Sequence, residues 1–122
     1  MIYQNDYIYI EVEKSEIPWL KIFTKKPYKE FSECDSKTKK HLLLALDVIE
    51  KEMLKFYSPK KINIASFGNY VPKVHFHIMA RFENDSYFPE PMWGAKQRDG
   101  GYKLKNFKEF LEIVKEKLTN IL

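Results

Sequence analysis

Two histidines, His75 and His77, stand two residues apart within Lys73–Phe82, a segment that alternates in polarity. Read in steps of two, Val74, Phe76, Ile78, Ala80 and Phe82 share one face and are apolar, so that face packs on a core. Lys73, His75, His77, Met79 and Arg81 share the other. Adjacent members of that row lie about 6.7 Å apart, from a strand rise of about 3.3 Å per residue. The open face therefore presents two imidazoles flanked by two cations, a row suited to a phosphate chain. Histidine titrates near neutrality and is a nucleophile when neutral, so one ring can attack phosphorus. The other ring, with Lys73 and Arg81, can meet the charge that develops on phosphate oxygens.

Two other readings fit the same residues. Histidines on the open face of a sheet are often plain surface residues. Two histidines can also ligate a metal, but zinc wants three or four ligands. The remaining histidine, His41, falls on a helix surface, and Cys34 is the only cysteine. No metal and no redox cofactor are expected.

The elements that must position this row can be read from periodicity. Tyr7–Val12 alternates as a half-buried strand, and Ile17–Thr24 is a second strand with Pro18 near its start. Lys25–Cys34 reads as a basic loop. Leu42, Leu46, Ile49, Met53 and Phe56 recur at helical spacing within 35–57, with Asp35 or Ser36 as cap and Ser58-Pro59 as stop. Ile62–Phe67 and Lys73–Phe82 are two further strands, joined by Gly68-Asn69-Tyr70-Val71-Pro72 as an antiparallel hairpin. On the first of these, Asn63 and Ala65 face one way and leave room for a ligand. A second helix spans 104–121, with Phe107, Phe110, Leu111, Val114, Leu118 and Ile121 as its buried stripe. The order strand, strand, helix, strand, strand, helix predicts an α+β domain with an antiparallel β-sheet and two main helices.

Length and composition bound the rest. The 122 residues suit one domain, 1–122, and are 44% hydrophobic and 31% charged. Aromatics reach 16%, enough to fill a core or stack on flat ligands. No run of about 18 apolar residues exists, so no membrane span is expected. The first residues, MIYQNDYIYI, lack a basic start and a long apolar run, so no signal peptide is expected. A single cysteine precludes an internal disulfide and fits a cytoplasmic protein. The net charge of +4 favours anionic partners in general, but the lysines are scattered and a nucleic-acid groove is not the expectation.

The run from Gly68 to Arg81 resembles the motif of the histidine triad (HIT) superfamily, His-φ-His-φ-His-φ-φ with φ apolar, preceded by a glycine-containing turn. Phe88-Pro89-Glu90-Pro91-Met92-Trp93-Gly94 resembles the segment that follows the triad in bacterial HIT hydrolases, and Pro18-Trp19-Leu20 resembles an apolar strand near the family's N-terminus. Lys73 stands at the first triad position, in a pattern closest to a bacterial branch with Gln there. Ala80 replaces that branch's proline before the arginine, and Tyr70 stands where many members carry a phosphate-contacting Ser or Thr.

The resemblance implies a HIT-like fold, a homodimer and a nucleotide hydrolase or transferase. By position, His75 would attack the α-phosphorus and form a nucleotidyl-histidine intermediate. His77 would bind phosphate oxygens or help the leaving group. Asn63 and Asn69 would contact phosphate, and Trp93 matches the tryptophan region near the partner's site. The implied substrate is a purine nucleotide or dinucleotide: a dinucleoside polyphosphate or a nucleoside phosphoramidate. The alternative is a nucleotide-binding module of the same fold that has lost catalysis with its first histidine.

Overall fold

The computed structural model describes residues 1–122. Strands β1 (Tyr3–Gln4), β2 (Ile8–Val12) and β3 (Trp19–Thr24) come first, then a 3-10 turn (Phe31–Glu33) and helix α1 (Ser36–Tyr57). Strands β4 (Lys61–Ala65) and β5 (His75–Arg81) follow, and helix α2 (Phe107–Ile121) ends the chain. The five strands form one sheet in the order β1-β2-β3-β5-β4, and every neighbouring pair is antiparallel. This is the α+β architecture expected, with one strand more. Tyr3–Gln4 is too short to show alternation and is held by pairing with Tyr9 and Ile10.

Helix α1 begins where its cap demands. The Asp35 carboxylate accepts a 2.7 Å hydrogen bond from the Thr38 amide. It ends at Ser58, which turns left-handed (φ 47°) before Pro59. Leu42, Leu46, Ile49 and Met53 are buried, as their spacing requires. On α2 the stripe is narrower than its periodicity predicts. Phe110, Val114 and Leu118 are buried, whereas Ile121, in the last turn, is exposed. The helix also starts three residues late, because Asn106 takes a left-handed conformation (φ 53°) just before it.

One cluster of 22 buried residues forms the core, including Ile8, Ile10, Leu20, Ile22, Ile62, Ile78 and Ala80 from the sheet and the inner faces of the helices. Cross-strand partners share a face. The opposite face therefore carries a grid fixed by register: Tyr9, Phe23 and His75 in one row, Glu11, Lys21, His77 and Ala65 in the next, then Trp19, Met79 and Asn63.

That second face is not open. The irregular segment after β5 crosses it, and His75 and His77 are only 7% and 8% exposed. The Glu16 carboxylate pins this segment, accepting hydrogen bonds from the Ser86 amide (3.2 Å) and the Tyr102 amide (2.7 Å). Gly101 makes the second contact possible: its φ is +64°, and a Cβ there would collide with Glu16. No helix is long and apolar enough to cross a membrane.

Candidate active site

Strand β5 sets His75 and His77 side by side on the roofed face, with ring centroids 5.2 Å apart. Each ring is fixed by a different contact. His75 Nδ1 lies 2.8 Å from the Lys73 backbone oxygen. A carbonyl only accepts, so Nδ1 carries a proton, and in the neutral ring the lone pair is therefore on Nε2. The ring also stacks on Phe23, 5.0 Å away and 15° from parallel, and Phe23 stacks in turn on Tyr9. The Ser66 hydroxyl donates to the His75 backbone oxygen at 2.7 Å, tying β5 to the turn beside it.

His77 is held the opposite way. The Trp19 indole Nε1–H points at His77 Nδ1 from 2.9 Å. Indole nitrogen only donates, so here Nδ1 accepts. Trp19 lies two residues before Lys21, the direct partner of His77, and reaches across the diagonal. Desolvation by burial, reinforced by His75 and Lys21 and opposed by Glu13, pushes the His77 pKa down to about 4. Lys21 is itself paired with Glu13 at 3.0 Å.

A cavity of about 360 Å³ opens beside the two rings, lined by His75, His77, Phe67, Asn69, Tyr70, Val71 and Trp93 among others. Its floor is the β4–β5 turn, where Gly68 adopts φ +133°, a value glycine reaches without strain. Trp93 stands over it, its centroid 4.9 Å from His77, 4.8 Å from Phe67 and 5.3 Å from Trp19. Of the residues singled out in the sequence, His75, His77, Asn69 and Trp93 meet at this cavity.

The other three do not line it. Lys73 shares the face, but its ammonium donates to the Tyr9 hydroxyl at 2.8 Å and lies over the Tyr9 and Phe23 rings. Arg81 corrects the sequence expectation most clearly. It was expected to flank the imidazoles as a phosphate-binding cation, yet it is 1% exposed. Its guanidinium donates to both Asp85 carboxylate oxygens, to Asn63 Oδ1 and to the Glu90 backbone oxygen, using four of its five N–H groups. Asn63, expected at the phosphate, is thereby drawn to the guanidinium.

Asp85 completes that network. Burial acts to raise its pKa, but the Arg81 hydrogen bond and the Phe82, Tyr87 and Phe88 amides outweigh it and hold the carboxyl below its usual value. The network braces the loop that carries Trp93. Asp85 lies four residues past Arg81 in an irregular loop, so no sequence periodicity links the two. Trp19 was missed as a site residue because its indole nitrogen looked like part of an apolar strand.

An antiparallel strand pair joined by a glycine-containing turn, with two imidazoles on its second strand, in a five-stranded sheet backed by two helices, defines a histidine triad fold. Residues 1–84 match the HIT domain, and the chain belongs to that family. A histidine triad protein from Bradyrhizobium japonicum has the same fold, with a TM-score of 0.78 at 25% identity over 96% of this chain and 88% of that one. Another from Marinobacter aquaeolei VT8 gives 0.72 at 25% identity over 99% and 86%. The diadenosine triphosphate hydrolase of Plasmodium falciparum shares the fold at a TM-score of 0.59 and 16% identity, over 98% and 76%. No curated protein matches the chain.

Proposed function

We propose that the protein is a nucleotide hydrolase or nucleotidyl transferase that works at the α-phosphorus through a nucleotidyl-histidine intermediate. The substrate is a (di)nucleoside polyphosphate or a nucleoside phosphoramidate. One observation carries this reading: His75 lines a cavity with its Nδ1–H committed to the Lys73 carbonyl. The Nε2 lone pair is thereby kept for attack and needs no base to free it.

In the first step, Nε2 of His75 forms a bond to phosphorus and the bond to the leaving group breaks. The Nδ1–H bond to the Lys73 carbonyl strengthens as the ring becomes cationic. In the second step water attacks phosphorus, the N–P bond breaks and its electron pair returns to Nε2. A proton from the water passes to solvent. His77, whose Nδ1 is engaged by Trp19, presents Nε2–H to phosphate oxygens, and Asn69 adds an amide donor at the cavity floor. Trp93, Phe67 and Tyr70 offer flat apolar surface to a purine or to the departing part of the substrate. Lys73 supplies positive charge from beside the stacked rings.

Family membership supports nucleotide chemistry in general, and the Plasmodium falciparum protein that shares the fold is a diadenosine triphosphate hydrolase. A homodimer belongs to the same reading, but Trp93, implied by the resemblance to lie near the partner's site, stands over this chain's own His77. The test is turnover of diadenosine tetraphosphate. The wild-type protein is expected to release nucleotide products, and His75→Ala to lose at least about 10³-fold in kcat/KM. Full turnover by His75→Ala would end this reading.

A further inference from the structure

The proposed reaction leaves open how the leaving group departs, as an anion or as an amine that must first gain a proton. The two rings decide between these. A group that protonates an amine in this site must sit near the broken bond and hold a transferable proton. His75 is excluded, because its Nε2 is the attacking atom and its Nδ1–H faces a carbonyl. His77 is the other candidate. As an imidazolium it would be a good acid, but that form needs a proton on Nδ1.

The Trp19 indole occupies Nδ1 with a donor from 2.9 Å, and indole nitrogen cannot turn round to accept. A second proton on Nδ1 would face that N–H at contact distance. The surroundings oppose the imidazolium too. His77 is walled by the rings of Trp19, Trp93 and Phe67, and the charged groups facing it are Lys21 from β3 and Glu13, already paired to each other, with His75 on its own strand. His77 is therefore fixed as a neutral ring with its proton on Nε2. Such a ring donates a hydrogen bond well but gives up its proton poorly.

We infer that the Trp19–His77 bond confines this site to substrates whose leaving group departs as an anion, the phosphoanhydride class, and makes Trp19 a positioning residue. This rests on the phosphoryl-transfer reading above. Atoms balance without an acid: Nε2 of His75 bonds to phosphorus, the bridging P–O bond breaks, and its electron pair leaves with the phosphate oxygen. With a phosphoramidate the P–N bond would break instead, and its pair would leave on nitrogen, a strong base that must be protonated as it goes. A positioned acid contributes typically 10²–10⁴-fold, and that is the help the site withholds.

The experiment compares diadenosine tetraphosphate with an adenosine phosphoramidate of an alkylamine, between pH 6 and 8. The wild-type protein is expected to prefer the anhydride by about 10²-fold or more in kcat/KM. Equal rates for the two overturn this inference and leave the phosphoryl-transfer reading standing. Turnover of neither overturns both. Trp19→Phe keeps the ring and removes the donor, so ¹⁵N spectra of His77 are expected to show a single Nε2–H form in the wild type and mixed tautomers in the variant. A single Nε2–H form in both overturns the role given to Trp19. Should Trp19→Phe fail to fold, the wild-type spectrum decides: a proton on Nδ1 overturns the inference, and one on Nε2 alone supports it.

Discussion

The Nδ1 nitrogen of His75 lies 2.8 Å from the backbone oxygen of Lys73, two residues before it. Lys73 thus acts on the proposed nucleophile through its main chain, which every residue type possesses. Its side chain is engaged elsewhere, on the Tyr9 hydroxyl. The contact on the ring therefore does not depend on which side chain stands at position 73.

A first prediction follows for Lys73→Ala. The carbonyl contact persists, so kcat should stay within about tenfold of wild type, below the 10²–10⁴ that a reacting group contributes. KM for a polyphosphate should rise as the cation is lost. Steady-state kinetics separates the two, and a collapse of kcat with unchanged KM would contradict the account.

Trp93 offers a second test. It is 48% exposed and lines the cavity beside His77 without belonging to the buried core. Trp93→Ala should leave the thermal midpoint nearly unchanged and raise KM several-fold, from about 1 kcal/mol of lost aromatic contact. A lowered midpoint with unaltered KM would make the ring a structural lid.

The Arg81–Asp85 pair, both side chains buried, should dominate stability. Asp85→Asn leaves the guanidinium charge without its counter-ion, and urea unfolding should show a loss of about 3–5 kcal/mol. Because Asp85 is held below its usual value of 3.8, its contribution is full above that pH and vanishes as pH falls through the lower folded value.

His77 adds a second acid sensitivity with the same sign. Its ring titrates at 6.5 when unfolded and at about 4 when folded. Its contribution is complete above pH 6.5 and is lost as pH falls toward 4, because the unfolded chain takes the proton first. The total is on the order of 3 kcal/mol. NMR titration of the ring should find a midpoint well below 5, and a midpoint near 6.5 would contradict the burial described.

The two imidazoles, four of the five strands and both helices are legible because each rests on periodicity: two for the strands, 3.6 for the helices. Asp35 and Ser58 were legible because caps and stops have local chemistry. What escaped depends on contacts between distant or irregular segments. The histidine row looked exposed because nothing in the alternation of β5 tells of a loop pinned across it by Glu16. Arg81 looked like a ligand for phosphate because its acid, Asp85, sits in that loop. Trp19 is 58 residues from His77, and only the strand register brings its N–H to the ring.

The central claim is that His75 becomes covalently nucleotidylated. The direct measurement is to mix the protein with diadenosine tetraphosphate, quench in alkali within the first turnovers, where a phosphorus–imidazole bond survives, and map the adduct by mass spectrometry of peptides. The account predicts an added adenylyl group on His75, absent from His75→Ala. An adduct on His77 or Lys73, or product formation with no adduct at any time, would contradict it.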